Sequence, residues 1–186
     1  DNDANGLVVA NSIFKNNKAS TFGGAISIWE GYQNVENAVS NIINCSFSGN
    51  SAINGGAIYN SNKCQSNISN CILWGNSSSG NGTQIWSDDK IVLTNCQYPN
   101  DAMSIRGNGE EVILNPLFTD PNFDGSLKPQ NSAHVNKGIN NKLPSDLADI
   151  DNDGDFIEPL PNDYSGGIRI KPDNNGVVDI GAYETN

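Results

Sequence analysis

Five short stretches of the chain share one arrangement of apolar and polar positions around an asparagine. The asparagines are Asn11, Asn44, Asn70, Asn95 and Asn115, and two residues before them stand Val9, Ile42, Ile68, Leu93 and Ile113. One residue after them stand Ser12, Cys45, Cys71, Cys96 and Pro116; three after stand Phe14, Phe47, Leu73, Tyr98 and Phe118. Small or apolar residues at every second position mark half-buried strands, because residues of like parity share a face. The pattern predicts strands, not helices. It puts these columns inward and turns Ile13, Ser46, Ile72 and Gln97 outward.

The asparagines are spaced by 33, 26, 25 and 20 residues, the range in which sequence repeats stack as solenoids. Strands stacked in parallel about 4.8 Å apart place equivalent side chains over one another and build a core that no single repeat could bury. The fold class expected is all-β, a parallel β-helix of about five coils followed by an irregular C-terminal cap. Residues 1–118 form the coils on this reading, and 119–186 the C-terminal coils and capping region of the same solenoid. Each leading asparagine belongs at a corner, where it tolerates left-handed backbone angles and its amide can bond the amide one coil away. Asn17, Asn50 and Asn76 mark a second corner column. Gly23-Gly24 and Gly55-Gly56 fit a tight turn into a further strand whose inward residues are Ile26, Ile58 and Ile85.

Cys45, Cys71 and Cys96 occupy one repeat position, Cys64 lies off it, and the four lack zinc-site spacing. Buried thiols are expected in preference to disulfides, since in-register stacking does not readily supply the disulfide torsion. The redox compartment stays open. The first repeat is longer than the others, and its surplus, Trp29 to Glu36, is expected to protrude as a loop. From Thr119 proline and aspartate become frequent, and a closing strand is expected near Val177 to Glu184. A distinct terminal unit is what a solenoid needs to protect its last edge. Nothing comparable opens the chain, so further coils are expected upstream in a longer parent.

A formal net charge of −11 excludes nucleic acid and anionic membrane surfaces as partners, since both require a basic face. No apolar run approaches the roughly 20 residues that span a bilayer, so direct membrane insertion is not expected.

The paired signals Gly-Gly-Ala-Ile (Gly23 to Ile26, Gly55 to Ile58) and Phe-x-x-Asn (Phe14 to Asn17, Phe47 to Asn50) resemble repeats of bacterial polymorphic outer-membrane adhesins. Asn115-Pro116-Leu117-Phe118, Ser132 to Gly138, Asp163 to Ile170 and Val178 to Glu184 resemble the C-terminal end of surface proteins called choice-of-anchor Q. That resemblance implies a pectin-lyase-like, right-handed β-helix, secreted and held at the outer surface of a Gram-negative bacterium by a following sorting domain. It implies secretion and anchoring machinery as partners, reached through a region outside this sequence.

Three constellations carry candidate chemistry. Asp149, Asp151, Asp153 and Asp155 place carboxylates at alternate positions around Gly154, the first half of a calcium loop, although Leu160 stands where the bidentate glutamate belongs. A structural Ca²⁺ is the cofactor expected there; Asp120, Asn122 and Asp124 form a weaker half-match. Asp88-Asp89, His134 and Arg169-Ile170-Lys171 follow the order of catalytic groups in β-helix polysaccharide hydrolases, but Arg169 is expected to pair with Asp163 or Asp179. Tyr59 and Trp86 share an outward column with Ser27, and Trp29 has the same parity. These aromatics would stack on sugar rings or pack beneath the loop after Trp29. The reading reached is a non-catalytic segment of a secreted, cell-surface protein, an adhesin or stalk with a glycan or protein ligand. The alternative is a fragment of a polysaccharide lyase or hydrolase whose active coils lie upstream.

Overall fold

A computed structural model describes residues 5–29, 39–146, 149, 151–171 and 176–185. The first repeat supplies β1 (Asn5–Ala10), β2 (Ile13–Lys15) and β3 (Ile26–Ile28). The second supplies β4 (Val39–Ile43), β5 (Ser46–Ser48), β6 (Ser51–Asn54) and β7 (Ile58–Asn60). The third supplies β8 (Gln65–Ser69), β9 (Ile72–Leu73), β10 (Ser77–Asn81) and β11 (Ile85–Ser87). β12 (Ile91–Thr94), β13 (Ile105–Gly107) and β14 (Glu111–Leu114) complete the series. Equivalent strands pair across repeats in four parallel sheets, ordered β1-β4-β8-β12-β14, β2-β5-β9, β10-β6 and β13-β11-β7-β3. The molecule is all-β with parallel sheets.

Register follows the sequence columns. Val9, Ile42, Ile68, Leu93 and Ile113 are aligned across the five-stranded sheet, and Ile26, Ile58, Ile85 and Ile105 across the four-stranded one. Ile42, Ile68 and Leu93 of the first column and Ile26, Ile58, Ile85 and Ile105 of the second, with Phe47, Leu73, Cys45, Cys71 and Cys96, form one buried core against which Val9 packs. The Phe14 and Phe47 rings stack with centroids 4.7 Å apart. All four cysteines are buried thiols. The backbone of Cys45 donates to the Cys71 sulfur at 3.4 Å, and burial first, then the flanking thiols, push the Cys71 pKa up.

All five leading asparagines are left-handed, with φ of 47° at Asn11, 49° at Asn44, 52° at Asn70, and 50° at Asn95 and Asn115. Asparagine reaches this region at lower cost than most residues, so the corner is specified locally. Gly55, at φ +67°, makes the turn into β7; a Cβ there would lie 2.1 Å from the carbonyl oxygen of Ile58. The second asparagine column is a continuous ladder. Asn50 Oδ1 accepts from the backbone and amide of Asn17, and Asn76 Oδ1 accepts from those of Asn50.

The C-terminal part departs from expectation. No strand forms at Val177 to Glu184; among the described residues after Leu114 there are isolated bridges and one 3-10 turn, Asn140–Lys142. This segment lies along the flank of the stack. The backbone N–H of Gly181 donates to the Asn70 carbonyl at 2.7 Å, that of Ala182 to Ser46 Oγ at 3.1 Å, and Asn44 Nδ2 donates to the Asp179 carbonyl at 3.0 Å. Ser46, Ile72 and Gln97, expected to face outward, are therefore buried. Their parity is outward, but a second layer covers them. The last edge is left uncovered, with Ile113, Leu114 and Phe118 exposed. The loop expected after Trp29 lies outside the described residues.

Candidate functional site

On the four-stranded sheet, alternation buries Ile26, Ile58, Ile85 and Ile105 and turns Ser27, Tyr59, Trp86 and Arg106 to the other face in one aligned column. Trp29 follows β3 at the same parity and is 55% exposed. Its indole Nε1 donates to Ser27 Oγ at 2.7 Å, which fixes the ring beside Tyr59. Trp29 and Tyr59 have centroids 5.1 Å apart, and Phe22 closes the cluster at 4.3 Å from Tyr59 and 5.3 Å from Trp29. Offset and edge contacts of this kind add to the area that the rings bury.

Asp88, just past β11, organises the polar side of this face. Its Oδ2 accepts from the Tyr59 hydroxyl at 2.8 Å; its Oδ1 accepts from Trp86 Nε1 at 3.0 Å and from Asn108 Nδ2 at 2.8 Å. Burial, then the hydrogen bond and charge of Asp88, push the Tyr59 pKa up to about 12. Both carboxylate oxygens are thus engaged by neutral donors that hold the indole and phenol in place. Tyr59 itself is only 4% exposed and forms the floor, while Trp29 offers the open ring. Phe22, Asp88 and Asn108 are members that the sequence did not assign to this cluster. Phe22 is aligned with Asn54 and Asn81, so its column is otherwise polar, and Asn108 lies in a bend after β13, so neither carried an apolar periodic signal.

The residues in hydrolase order are divided between the aromatic face and the C-terminal segment. Asp88 serves the aromatic face. His134 is buried in the C-terminal segment, its Nε2 at 3.2 Å from Thr185 Oγ1 and 3.9 Å from Asp179 Oδ2, and burial pulls its pKa down despite the nearby aspartate. Arg169 pairs with neither Asp163 nor Asp179 as expected; its ion pair is with Glu184, at 3.6 Å. Its Nη1 and Nη2 donate to the carbonyls of Gly181 and Ala182 at 3.2 and 2.7 Å. Asp163 and Asp179 instead accept backbone N–H groups, of Glu184 and Asn136 among others, each at 2.7 Å. Their carboxylates are taken up as caps of this irregular chain, which leaves Glu184 for the guanidinium.

The acidic loop gathers two overlapping groups of carboxylates, Asp149 with Asp151 and Asp153, and Asp146 with Asp151 and Glu158, the oxygens of each group lying within 4.8 Å of one another. Asp155 joins neither group; its Oδ1 accepts from the Ile157 backbone at 3.0 Å. Asp146 and Glu158 come together because 144–146 runs beside 158–160, with Asp146 N–H donating to the Glu158 carbonyl at 2.8 Å. Carboxylate oxygens are the donor type that a hard divalent cation takes.

The leading asparagines serve two roles. Asn70 Nδ2 donates to Asn44 Oδ1 at 3.1 Å, and Asn115 Nδ2 to Asn95 Oδ1 at 3.3 Å, as a ladder would. The remaining capacity goes to the C-terminal segment: Asn70 Oδ1 accepts from Ile139 N–H at 2.9 Å, Asn95 donates to the Lys137 carbonyl and Asn11 to that of Asn162.

Comparison with family models, with curated proteins and with solved structures found no match.

Proposed function

We propose that this chain is a non-catalytic segment of a secreted, cell-surface right-handed parallel β-helix protein, and that it binds glycan on the Trp29 face. The observation that carries the reading is the fixed cluster of Trp29, Phe22 and Tyr59 beside Asp88, Asn108 and Arg106. An exposed aromatic ring of set orientation meets the apolar face of a sugar, and convergent amide, carboxylate and guanidinium groups meet its hydroxyls. Asp88 has both oxygens engaged by the Tyr59, Trp86 and Asn108 side chains, which supports recognition over bond cleavage. The register of the four sheets and the left-handed asparagine corners support the β-helix.

The test is a glycan array followed by calorimetry on the best ligand, with the protein and its Trp29→Ala and Trp86→Ala variants. Binding that quenches indole fluorescence and weakens at least tenfold in Trp29→Ala is expected. Absence of any glycan ligand, or retention of full affinity by both variants, overturns the reading. Release of shorter oligosaccharides from the bound glycan would favour the lyase or hydrolase alternative.

A further inference from the structure

The irregular C-terminal region carries a second surface whose composition is unlike the glycan face. Two antiparallel bridges, Ser145 to Pro159 and Asn162 to Ile168, bring 144–146, 158–163 and 167–170 side by side. Between them lies a groove of about 370 Å³ lined by Pro159, Pro161, Ile168 and Ile170, with Asn162 and the carboxylates of Asp151 and Glu158. Ile168 is 62% exposed, and Phe156 and Ile157, next to Glu158 in the chain, are 52% and 84% exposed. Proline and isoleucine in this setting leave apolar area open to water that the surrounding bridges do not cover.

One wall of the groove is negatively charged. Asp146 and Asp151 place oxygens within 4.8 Å of those of Glu158. Partial desolvation, then the charges of Asp153, Asp151, Asp155 and Asp146, push the Glu158 pKa up. The carboxylates of Asp146 and Asp151 gathered against Glu158 make this wall locally negative, beside apolar surface that sharpens the field.

We infer that this groove docks a basic, amphipathic peptide segment of a partner protein, with a lysine or arginine against Asp151 and Glu158 and an aliphatic neighbour on Ile168 and Ile170. Charge complementarity selects the cation, and the apolar walls select what it is attached to. A bare hydrated metal ion would use the carboxylates and leave Pro159, Pro161, Ile168 and Ile170 without a role. Lysine and arginine suit both halves, since their methylene stems lie on apolar surface while the charged head stays with the carboxylates. The surface is independent of Trp29 and does not rest on the glycan reading.

The probes are the acetylated, amidated peptides Leu-Lys-Leu-Lys-Leu and Leu-Gln-Leu-Gln-Leu, titrated into labelled full chain in EDTA at low salt, with amide shifts and calorimetry as readouts. The lysine peptide should bind at least tenfold more tightly than the glutamine one and shift amides within 144–146, 151 and 157–170. Its affinity should fall steeply as salt is raised, as expected for exposed charges. Ile168→Asp should abolish binding and Asp151→Asn/Glu158→Gln should weaken it several-fold, both with the unfolding midpoint of the parent, while Trp29→Ala changes nothing. Equal binding of the two peptides, shifts outside this region, or full retention in Ile168→Asp overturns the proposal. So does saturation of the same carboxylates by Ca²⁺ at submillimolar concentration with loss of the peptide, which would make the cluster a cation site.

Discussion

The repeat stack and the C-terminal segment that lies on its flank solve one problem, the satisfaction of buried backbone, in opposite ways. In the stack each strand borrows the partner that its equivalent supplies one repeat away, so the same bond recurs along every column. In the segment nothing recurs. Its backbone bonds are scattered, such as Gly138 N–H to the Val178 carbonyl and Ile180 N–H to that of His134, and single side chains supply much of the rest: Arg169 on Gly181 and Ala182, Asp163 on Glu184, Asp179 on Asn136 and Thr185, Asn70 on Ile139. Repetition spreads stability over many equivalent contacts, whereas the segment concentrates it in a few charged side chains that have no substitute.

The sharpest way to break that contrast is to remove the centre of the second arrangement. Arg169 is fully buried, and Arg169→Met would strip the Glu184 carboxylate of its cation and leave the Ala182 carbonyl with only the Tyr164 N–H and the Gly181 carbonyl with only the Asn44 amide at 3.5 Å. Stripping one partner from a buried ion pair costs about 3–5 kcal/mol, more than a neutral hydrogen bond does. Urea unfolding should show that loss, and amide exchange should rise first at 178–185. A cost below about 1 kcal/mol would mean that the segment is held mainly by its apolar contacts.

The stack should answer differently. Ile58 lies between Ile26 and Ile85 in the core column with no exposure. Ile58→Ala opens a cavity that the aligned strands cannot close, at a cost of about 3 kcal/mol. The distinguishing readout is where exchange increases. The change should appear in β3, β7 and β11 together, because they share one column, and the flank at 178–185 should keep its protection.

The sequence showed the stack far better than the flank, for the same reason. Val9, Ile42, Ile68, Leu93 and Ile113 repeat one environment five times, so five weak local signals pointed to one register. The left-handed corner could be read at Asn44 alone, since few residues take that conformation cheaply. Arg169 has a single environment and no echo. Asp163 and Asp179 were the partners the sequence offered, and Glu184 was missed, because the choice depends on which carboxylates the local backbone consumes. Burial of Ser46 and Ile72 was invisible because parity reports a direction and says nothing of what lies beyond. At the candidate glycan face, Tyr59 and Trp86 were legible from their column. Phe22 and Asp88 were not, since they enter the cluster from a bridge and a strand end.

Asn70 belongs to both regions, and its substitution tests where they meet. Its amide spans Asn44 in the ladder and Ile139 in the segment, through three hydrogen bonds. Asn70→Ala leaves the Ile139 N–H unpaired and its carbonyl with only the Lys142 N–H, and adds strain at a residue with φ of 52°, for a total of about 2 kcal/mol. Asn70→Gly removes the same bonds but accepts the backbone angle, so the difference between the two variants, about 1 kcal/mol by denaturant titration, isolates the corner from the seam. Equal losses would show that the corner carries no strain.

The smallest effect, and the one that separates the regions by pH alone, belongs to Glu184. Burial, with Asp179 beside it, raises its pKa to about 7 against the Asp179 N–H bond and Arg169, which favour the charged form. A carboxyl raised above its ordinary value of 4.5 contributes stability that is complete below pH 4.5 and lost as pH climbs to about 7. His134 has the reverse sign: its pKa is held below 6.5, so stability falls as pH drops beneath that value. In the parent protein the two slopes oppose each other as pH falls below 6.5 and partly cancel. Glu184→Gln removes one of them. Its unfolding free energy, measured against the parent across pH 4.5 to 8, should therefore fall more steeply on acidification while the exchange protection of β4, β8 and β12 at pH 7 stays that of the parent. Parallel pH profiles for the two proteins would place Glu184 in its ordinary titration range and remove the flank's sensitivity to neutral pH.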